Sequence, residues 1–338
     1  MGVTTHEAEA VPSARTRASA HPRAAVLVAP HTMRTDALEP PEPGRGHVRV
    51  RLTGCGVCAS SIPVWEGRPW FTYPSAPGAP GHEGWGVIDA VGPGVAGLAI
   101  GTPVAALSYH AFADYDIAAA DAVVPIPAAL ATRALPGEPL GCAVNAFGRS
   151  DVQAGQDVAV IGIGFLGALF VQLAVGAGAR VIAISRRPFA REIARVAGAV
   201  EVLATDDPAA VVRRVEQLTG GRGCDRVIEA VGRQEGLDLA APLTRERGRL
   251  VIAGYHQDGH RQIDMQLWNW RGIDVINAHE RDPHRYVDGI RRAVALVASG
   301  ALDPDPLYTH RFGLDEVGVA LQMAADRPHG FLKALVLT

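Results

Sequence analysis

The sequence predicts an α/β protein with two domains, the first small and mostly β and the second a doubly wound parallel sheet. Up to residue 127, short apolar runs are separated by glycine and proline, as in a β domain. After Asp151, apolar strand-like runs alternate with segments of helical length, which is typical of parallel strands joined by helical crossovers. With 338 residues, 48% of them hydrophobic, the chain is long enough to bury two cores.

The first domain is predicted to contain two separate parts of the chain. In 47-HVRVRL-52, valine and leucine alternate with arginine at the two-residue period of a strand. The other runs with β character lie at 86–92, 103–107, 307–317 and 331–337. We expect the last two of these runs to rejoin the first domain, which then comprises residues 24–145 and 301–338.

The second domain is predicted over residues 146–300. Its apolar strands are nearly continuous, which fits a sheet covered on both faces, and they lie at 157–162, 180–185, 201–205, 225–230, 248–254 and 273–278. Helices are expected at 165–179, 188–199 and 282–300.

Composition excludes several classes of partner. The net charge of −3 arises from acidic and basic residues mixed along the chain, so we expect no nucleic-acid partner. No apolar run reaches the roughly 20 residues of a membrane helix, so we expect no membrane partner. Four cysteines are too few for a disulfide scaffold, which favours a cytoplasmic setting. Residues 1–23, rich in small residues and arginine, predict a mobile tail without a secretory signal.

A glycine motif follows the first strand of the second domain. Gly162, Gly164 and Gly167 form G-x-G-x-x-G, with Phe165 and Leu166 opening the helix between them. In this position the glycines permit a tight turn, let the backbone approach a pyrophosphate, and let helix and strand pack closely. The alternative is a turn whose glycines serve packing only. The strand–turn–helix context favours a Rossmann dinucleotide site.

The residues after the second strand indicate which dinucleotide binds. An acidic residue that binds the ribose of NAD normally lies about 20 residues beyond the glycines. Here Ser185 occupies that place, and Arg186 and Arg187 follow. A hydroxyl and two guanidinium groups favour a 2′-phosphate, whereas a carboxylate would repel it. We therefore expect NADP(H) to be preferred over NAD(H), unless both arginines are ordinary solvated residues.

The stretch 54-GCGVCASS-61 contains two cysteines in C-x-x-C spacing. A redox dithiol needs a helix that opens at the first cysteine, and a zinc knuckle needs a second cysteine pair. The chain offers neither, because Cys142 and Cys224 are single and far apart. One of the two cysteines could still bind a metal with His82 and Glu83 of 81-GHEGWG-86 and with Glu138. Cysteine, histidine and carboxylate are plausible zinc ligands, although each alone is a weak signal.

In combination these motifs resemble the medium-chain dehydrogenase/reductase superfamily, the zinc alcohol dehydrogenases, over about residues 24 to 338. The matching motifs are G-V-C-x-S at 56–60, G-H-E-x-x-G at 81–86, E-P-L at 138–140 and the glycine motif. The E-P-L motif is similar to the branch of sorbitol, threonine and aminocyclitol dehydrogenases. The resemblance implies a GroES-like catalytic domain beside the Rossmann domain, and a homo-oligomer, most simply a dimer.

The resemblance also implies roles for individual residues. Cys58 and His82 would bind zinc, with Glu83 or Glu138 completing the shell directly or through water, and Ser60 would lie beside the reacting oxygen. Cys55 and Cys142 match no ligand position and are interpreted as small core residues. The structural zinc lobe of many relatives is missing, because no cysteine lies between residues 81 and 140, so we expect one zinc per subunit.

Two departures leave alternatives open. Ser61 replaces an aspartate that often supports the ligand histidine, and Pro63 replaces a proton-relay histidine. We expect hydride transfer between NADP(H) and a secondary alcohol or ketone, such as a polyol, cyclitol or bulky ring. The alternatives are a zinc-independent NADPH reductase of activated double bonds and a non-catalytic nucleotide-binding protein. Aromatic side chains near the metal motifs could wall the substrate or belong to the core, and they are Trp65, Trp70, Phe71, Tyr73 and Trp85.

Overall fold

The computed structural model describes residues 21–338 and confirms the α/β class. Most of the predicted tail, residues 1–20, lies outside the described residues, and the first strand already begins at Arg23. Within residues 21–338, no helix combines the length and the apolar character needed to cross a bilayer.

A seven-stranded sheet and a two-stranded β-sheet form the first domain. Its elements are β1 (Arg23–Ala29), β2 (Thr32–Ala37), β3 (His47–Gly56), α1 (Ile62–Trp65), β4 (Gly84–Val91), β5 (Pro103–Ala106), β6 (Tyr115–Ala119), β7 (Val123–Pro125) and α2 (Gly137–Ser150). The alternation in β3 is that of a strand with one buried face, because Val48, Val50 and Leu52 are buried while the arginines between them reach the surface.

A parallel six-stranded sheet forms the second domain, and the chain then returns to the first. The elements of this part are β8 (Asp157–Ile161), α3 (Phe165–Gly176), β9 (Arg180–Ile184), α4 (Pro188–Val196), β10 (Glu201–Leu203), α5 (Pro208–Leu218), β11 (Cys224–Glu229), α6 (Gln234–Leu243), β12 (Thr244–Ile252), α7 (Met265–Arg271), β13 (Asp274–Asn277), α8 (Pro283–Ala298), β14 (Tyr308–Gly313), α9 (Val317–Asp326) and β15 (Lys333–Leu337). The six strands stand in the order β10-β9-β8-β11-β12-β13, which is the doubly wound order with its switch point at β8.

The last strand lies beside the strand that leads to the cysteine motif. The seven-stranded sheet runs β14-β15-β3-β4-β5-β7, with β6 pairing β3. β15 pairs antiparallel with β3, which places Val336 opposite Cys55. The end of the chain therefore supports the region where the candidate metal ligands lie.

Helix α2 joins the two domains, and its sequence did not predict a helix. Gly137 and Gly141 make it a poor helix former, but a side chain at either position would come within 2.8 Å of Ile290 on α8. The glycines let α2 and α8 approach closely, and Asn145 donates to the backbone carbonyl of Arg285 across the contact. Tertiary packing therefore outweighs helix propensity here.

Candidate metal centre and cofactor site

The two cysteines of the C-x-x-C stretch occupy different environments. Cys55 is a fully buried residue of β3, and its thiol donates to the carbonyl of Gly56. Cys58 follows the end of the strand and is partly exposed, and its sulfur accepts from the Ser60 hydroxyl. Only glycine fits at position 56, because a Cβ atom there would lie 1.9 Å from the Glu83 carboxylate.

His82 presents its Nε2 atom to Cys58 and Ser60. Its Nδ1–H donates to the Pro80 carbonyl at 2.8 Å, which leaves Nε2 as the atom free to bind a metal. The Ser60 hydroxyl donates to the Cys58 thiol at 3.1 Å and lies 3.4 Å from His82 Nε2. Burial by itself lowers the pKa of His82, but the interactions with the neighbouring Cys58 sulfur act in the opposite direction, and the pKa is raised to about 10. The imidazole therefore lies among groups that favour its charged form.

Cys58, His82 and Glu83 form a metal-ligand group. One ligand atom from each lies within 4.8 Å of the others. Thiol sulfur, imidazole nitrogen and carboxylate oxygen are the donors that zinc prefers, so the residues fit this metal. Glu83 is fully buried, however, and its carboxylate also contacts the ammonium group of Lys333. Burial lowers the pKa of Lys333, but Glu83, Cys58 and Glu138 together raise it above its ordinary value.

Glu138 lies at the start of α2 and is held by a second network. Its Oε1 accepts from the Cys142 thiol one helical turn later at 3.2 Å, and Cys142 lies 3.3 Å from the hydroxyl of Tyr286 on α8. Burial raises the pKa of Glu138, while the charge of His82 lowers it. Glu138 thus interacts electrostatically with the group of ligands without joining the closest triplet.

The glycine motif forms a tight turn between β8 and α3. Gly162 has φ 91°, a left-handed conformation that favours glycine. A Cβ atom at Gly167 would lie 2.0 Å from the Gly162 carbonyl, so only glycine lets helix and strand pack this closely. The space around Gly164 is open, since no atom lies within 4 Å of its ideal Cβ position. Phe165 is buried and Leu166 half-buried at the start of the helix.

The three residues predicted to select the cofactor differ in their surroundings. Ser185 is buried, and its hydroxyl accepts from the backbone N–H of Arg187. Arg187 donates to the carbonyls of Ile163 and Phe331, so its guanidinium is committed to the backbone. Arg186 is exposed and remains available to a ligand.

A cleft of about 390 Å³ opens next to His82 and Ser60. It is lined by Ser60, Ser61, Val64, Trp70, Phe71, Thr72, Ser75, Ala79, Pro80 and His82. The aromatic residues near the metal motifs therefore divide into two groups. Trp70, which is 60% exposed, and Phe71 line the cleft, whereas Trp65 and Trp85 are buried in the core.

Comparison with known proteins decides the family. The profile of the family "Alcohol dehydrogenase GroES-like domain" matches residues 44–128, and that of "Zinc-binding dehydrogenase" matches residues 166–295. The chain belongs to the medium-chain dehydrogenase/reductase superfamily. Its sorbitol dehydrogenase-like branch is supported by sorbitol dehydrogenase of Bacillus subtilis, which is 24% identical over 93% of this chain and 96% of that protein.

Further relatives extend the comparison across nearly the whole chain. L-threonine 3-dehydrogenase of Pyrococcus furiosus is 28% identical over 84% of this chain and 89% of its own length. The structure of a zinc-binding dehydrogenase of Sinorhizobium meliloti 1021 bound to NADP has a TM-score of 0.80 and 27% identity, covering 95% of this chain and all of that one. This member of the superfamily is therefore an oxidoreductase of the alcohol dehydrogenase type that uses a nicotinamide cofactor and a small-molecule substrate.

Sequence reasoning overlooked three residues that touch the candidate site. Cys142 is half-buried and contacts Glu138 instead of being a plain core residue, and its spacing of four from Glu138 places both on one face of α2. Tyr286 carried no signal, because its contact depends on the packing of α8 against α2. Lys333 could have been noticed as the one charged residue in the apolar run 331-FLKALVL-337.

Proposed function

We propose that the protein is a zinc-dependent dehydrogenase that transfers hydride between NADP(H) and a neutral secondary alcohol or its ketone. The observation that carries this proposal is the group of Cys58, His82 and Glu83 beside an open cleft. Zinc, when bound, would act as a Lewis acid toward the substrate oxygen. Cys58 and His82 would hold it, with Glu83 or Glu138 as the third protein ligand and one zinc per subunit.

Ser60 is the residue best placed to move the proton. Its hydroxyl lies between Cys58 and His82, at the mouth of the cleft. In alcohol oxidation, the Ser60 oxygen would accept the hydroxyl proton of the substrate while the Ser60 hydroxyl gives up its own proton, so that the serine ends neutral and acts as a relay. The hydride of the substrate carbon would go to the nicotinamide cofactor. Ser61 and Pro63 offer no imidazole for the next step, so we expect the proton to leave through water in the cleft.

The cofactor would bind at the glycine motif with its phosphates at the start of α3. The open space at Gly164 supports this placement. Arg186 is exposed at the end of the second strand of the sheet, where the adenosine ribose would lie. An exposed guanidinium at this point, without a carboxylate at Ser185, supports the preference for NADP(H).

The lining of the cleft supports a neutral substrate. The residues that line it offer hydroxyl groups and aromatic surface, and His82 is the one titratable side chain among them. A zwitterionic amino acid such as L-threonine, the substrate in the name of the Pyrococcus enzyme, would find no partner here for its carboxylate or its ammonium group. A neutral polyol, cyclitol or ring-bearing alcohol would be better accommodated, with Trp70 and Phe71 against its carbon face.

Metal analysis combined with an activity panel tests this function. We expect about one zinc per chain, and turnover of neutral ketones with NADPH that is lost after dialysis against a chelator and restored by zinc. Two zincs per chain, or full activity of the metal-free protein, would contradict the proposal. Reduction of activated double bonds by the metal-free protein would instead identify the zinc-independent reductase.

A further inference from the structure

Four arginines gather where the end of α9 meets the loops of the second domain. Arg186 and Arg187 follow β9, Arg233 immediately precedes α6, and Arg327 ends α9. In the described part of the chain, none of the four forms an ion pair with a carboxylate. A negative charge near this group is that of Asp258, whose pKa is lowered mainly by Arg261 and to a smaller extent by Arg233. A group of four positive charges without a directly paired carboxylate is a candidate anion site.

Direct contacts place the segment 327–331 over the chain that follows β9. Arg187 donates through Nη2 to the Ile163 carbonyl at 3.1 Å and through Nη1 to the Phe331 carbonyl. The ring of His329 lies 6.0 Å from that of Phe189, the second residue of α4. Arg327 therefore belongs to a segment of the first domain that contacts Arg187 and the start of α4, just after the second strand of the parallel sheet.

The arginines are close enough to influence one another. Burial lowers the pKa of Arg327, and the charges of Arg233 and Arg186 lower it further. Burial likewise lowers the pKa of Arg187, with additional contributions from Arg327 and Arg186. This repulsion is unfavourable in the free protein, and a bound anion would relieve it.

The backbone at Arg327 gives an independent indication. Its φ of 49° and ψ of 59° are left-handed, at a helix end where glycine is usual. An arginine in this conformation is strained, and strained residues in folded proteins are concentrated at functional sites. Arg327 is surrounded closely enough for burial to lower its pKa, but the residue still reaches solvent. Its Nε donates to the Ala324 carbonyl at 3.4 Å, which leaves its other nitrogens available to a ligand.

We propose that Arg327, together with Arg186, holds the adenosine 2′-phosphate of NADP(H), so that both domains bind this group. The proposal rests on the proposed preference for NADP(H). In a dinucleotide fold the pyrophosphate lies at the glycine motif, whereas the ribose 2′ position faces the end of the second strand, next to Arg186. Arg187 is occupied by two carbonyls, which leaves Arg327 as the second guanidinium for the phosphate. Arg233 would add to the positive field at this place.

Binding measurements on the full-length protein test this assignment. Arg327→Gly removes the guanidinium and accepts the left-handed backbone, so the variant should fold. We expect its Kd for NADPH to rise about tenfold or more, since a charge-assisted hydrogen bond is lost, while the Kd for NADH changes less than twofold. Adenosine 2′-monophosphate alone should lose affinity in parallel. Arg327→Lys should recover part of the loss, and Arg195→Ala, on the exposed face of α4, is the matched control.

Other outcomes would overturn the inference. Equal weakening of NADPH and NADH would assign Arg327 to the pyrophosphate, and no change for either would show that its side chain faces solvent. If the unmodified protein binds NADH as tightly as NADPH, the proposed cofactor preference itself is wrong. A preference for NADPH that Arg327→Gly leaves unchanged would instead show that only the role of Arg327 is wrong.

Discussion

Lys333 and Glu83, which lie 250 residues apart in the sequence, form a buried ion pair in which the ammonium nitrogen is 2.6 Å from Oε1 and 2.5 Å from Oε2. Lys333 is the only lysine in the sequence, and the other permanently positive side chains are arginines. Its ammonium also lies 4.9 Å from the ring centroid of Phe165, at the start of the nucleotide-binding helix. The pair therefore connects the candidate metal centre, the last strand and the cofactor domain.

Lys333→Met should strongly destabilise the protein. The substitution leaves the Glu83 carboxylate buried without a counter-charge, which typically costs about 3–5 kcal/mol. Urea unfolding in the presence of a chelator measures the effect without a contribution from metal. The double variant Glu83→Gln with Lys333→Met should be less destabilised than Lys333→Met alone. A Lys333→Met protein as stable as the parent would show that the ion pair contributes nothing to folding.

Cys58→Ala should abolish zinc binding and turnover, whereas Cys55→Ala should keep both. Cys58 is partly exposed beside His82, while Cys55 is a buried residue of β3. Elemental analysis and ketone reduction with NADPH measure the two effects, and Cys55→Ala serves as the control with a small loss of stability of about 1 kcal/mol. Equal loss of metal in both variants would mean that the C-x-x-C pair binds it as a unit.

Cys142→Ala should weaken metal binding without abolishing it. The thiol donates to Glu138, and partners of this kind usually change metal affinity by roughly 10- to 100-fold. Competition with a chromophoric chelator measures the affinity, and Tyr286→Phe should have a similar but smaller effect because it acts through Cys142. Loss of metal as complete as in Cys58→Ala would make Cys142 itself a ligand.

Local patterns in the sequence predicted most of the fold. The strand 180–185 corresponds to β9 (Arg180–Ile184), and the glycine motif lies between β8 and α3 as expected. These elements were predictable because a buried parallel strand and a phosphate-binding turn each need particular residue types at short spacing. The last strand, β15 (Lys333–Leu337), lies within the predicted β run 331–337, whereas its pairing with β3 is known only from the structure.

Elements that depend on distant contacts could not be predicted in this way. Helix α2 forms despite its glycines because they admit Ile290 of α8, and α9 lies in the stretch between the predicted β runs 307–317 and 331–337, for which the sequence predicts no element. The contacts of Cys142 with Tyr286 and of Lys333 with Glu83 span more than a hundred residues. Short-range patterns in the sequence cannot predict such contacts, so the residues around the candidate ligands were identified only from the structure.

The cofactor preference should be reversible by two substitutions. Ser185→Asp places a carboxylate where the 2′-phosphate would lie, and Arg186→Ala removes an exposed guanidinium. The ratio of kcat/KM for NADPH to that for NADH should fall by about tenfold to hundredfold, the range expected for a charge-assisted contact. Arg187 should be left unchanged, because it holds the carbonyls of Ile163 and Phe331. An unchanged ratio in the double variant would contradict the proposed role of both residues.

The protein should form a dimer through the edge of its six-stranded sheet. Among residues 21–338, β13 is the last strand of that sheet and pairs with β12 alone, which leaves one row of its backbone groups without a strand partner. Helix α7 lies immediately before it and exposes Trp270 by 85% and Met265 by 50%, an apolar surface that association would cover. Light scattering at micromolar concentration should give twice the mass of one chain.

Trp270→Glu should shift this equilibrium toward the monomer, because it places a charge within the apolar surface next to β13. Tyr109→Glu is the matched control, since Tyr109 is 63% exposed on a loop of the first domain, away from the edge strand. A parent protein that is monomeric would refute the dimer, and dissociation by Tyr109→Glu but not by Trp270→Glu would move the interface to the first domain. The two variants therefore locate the contact as well as test its existence.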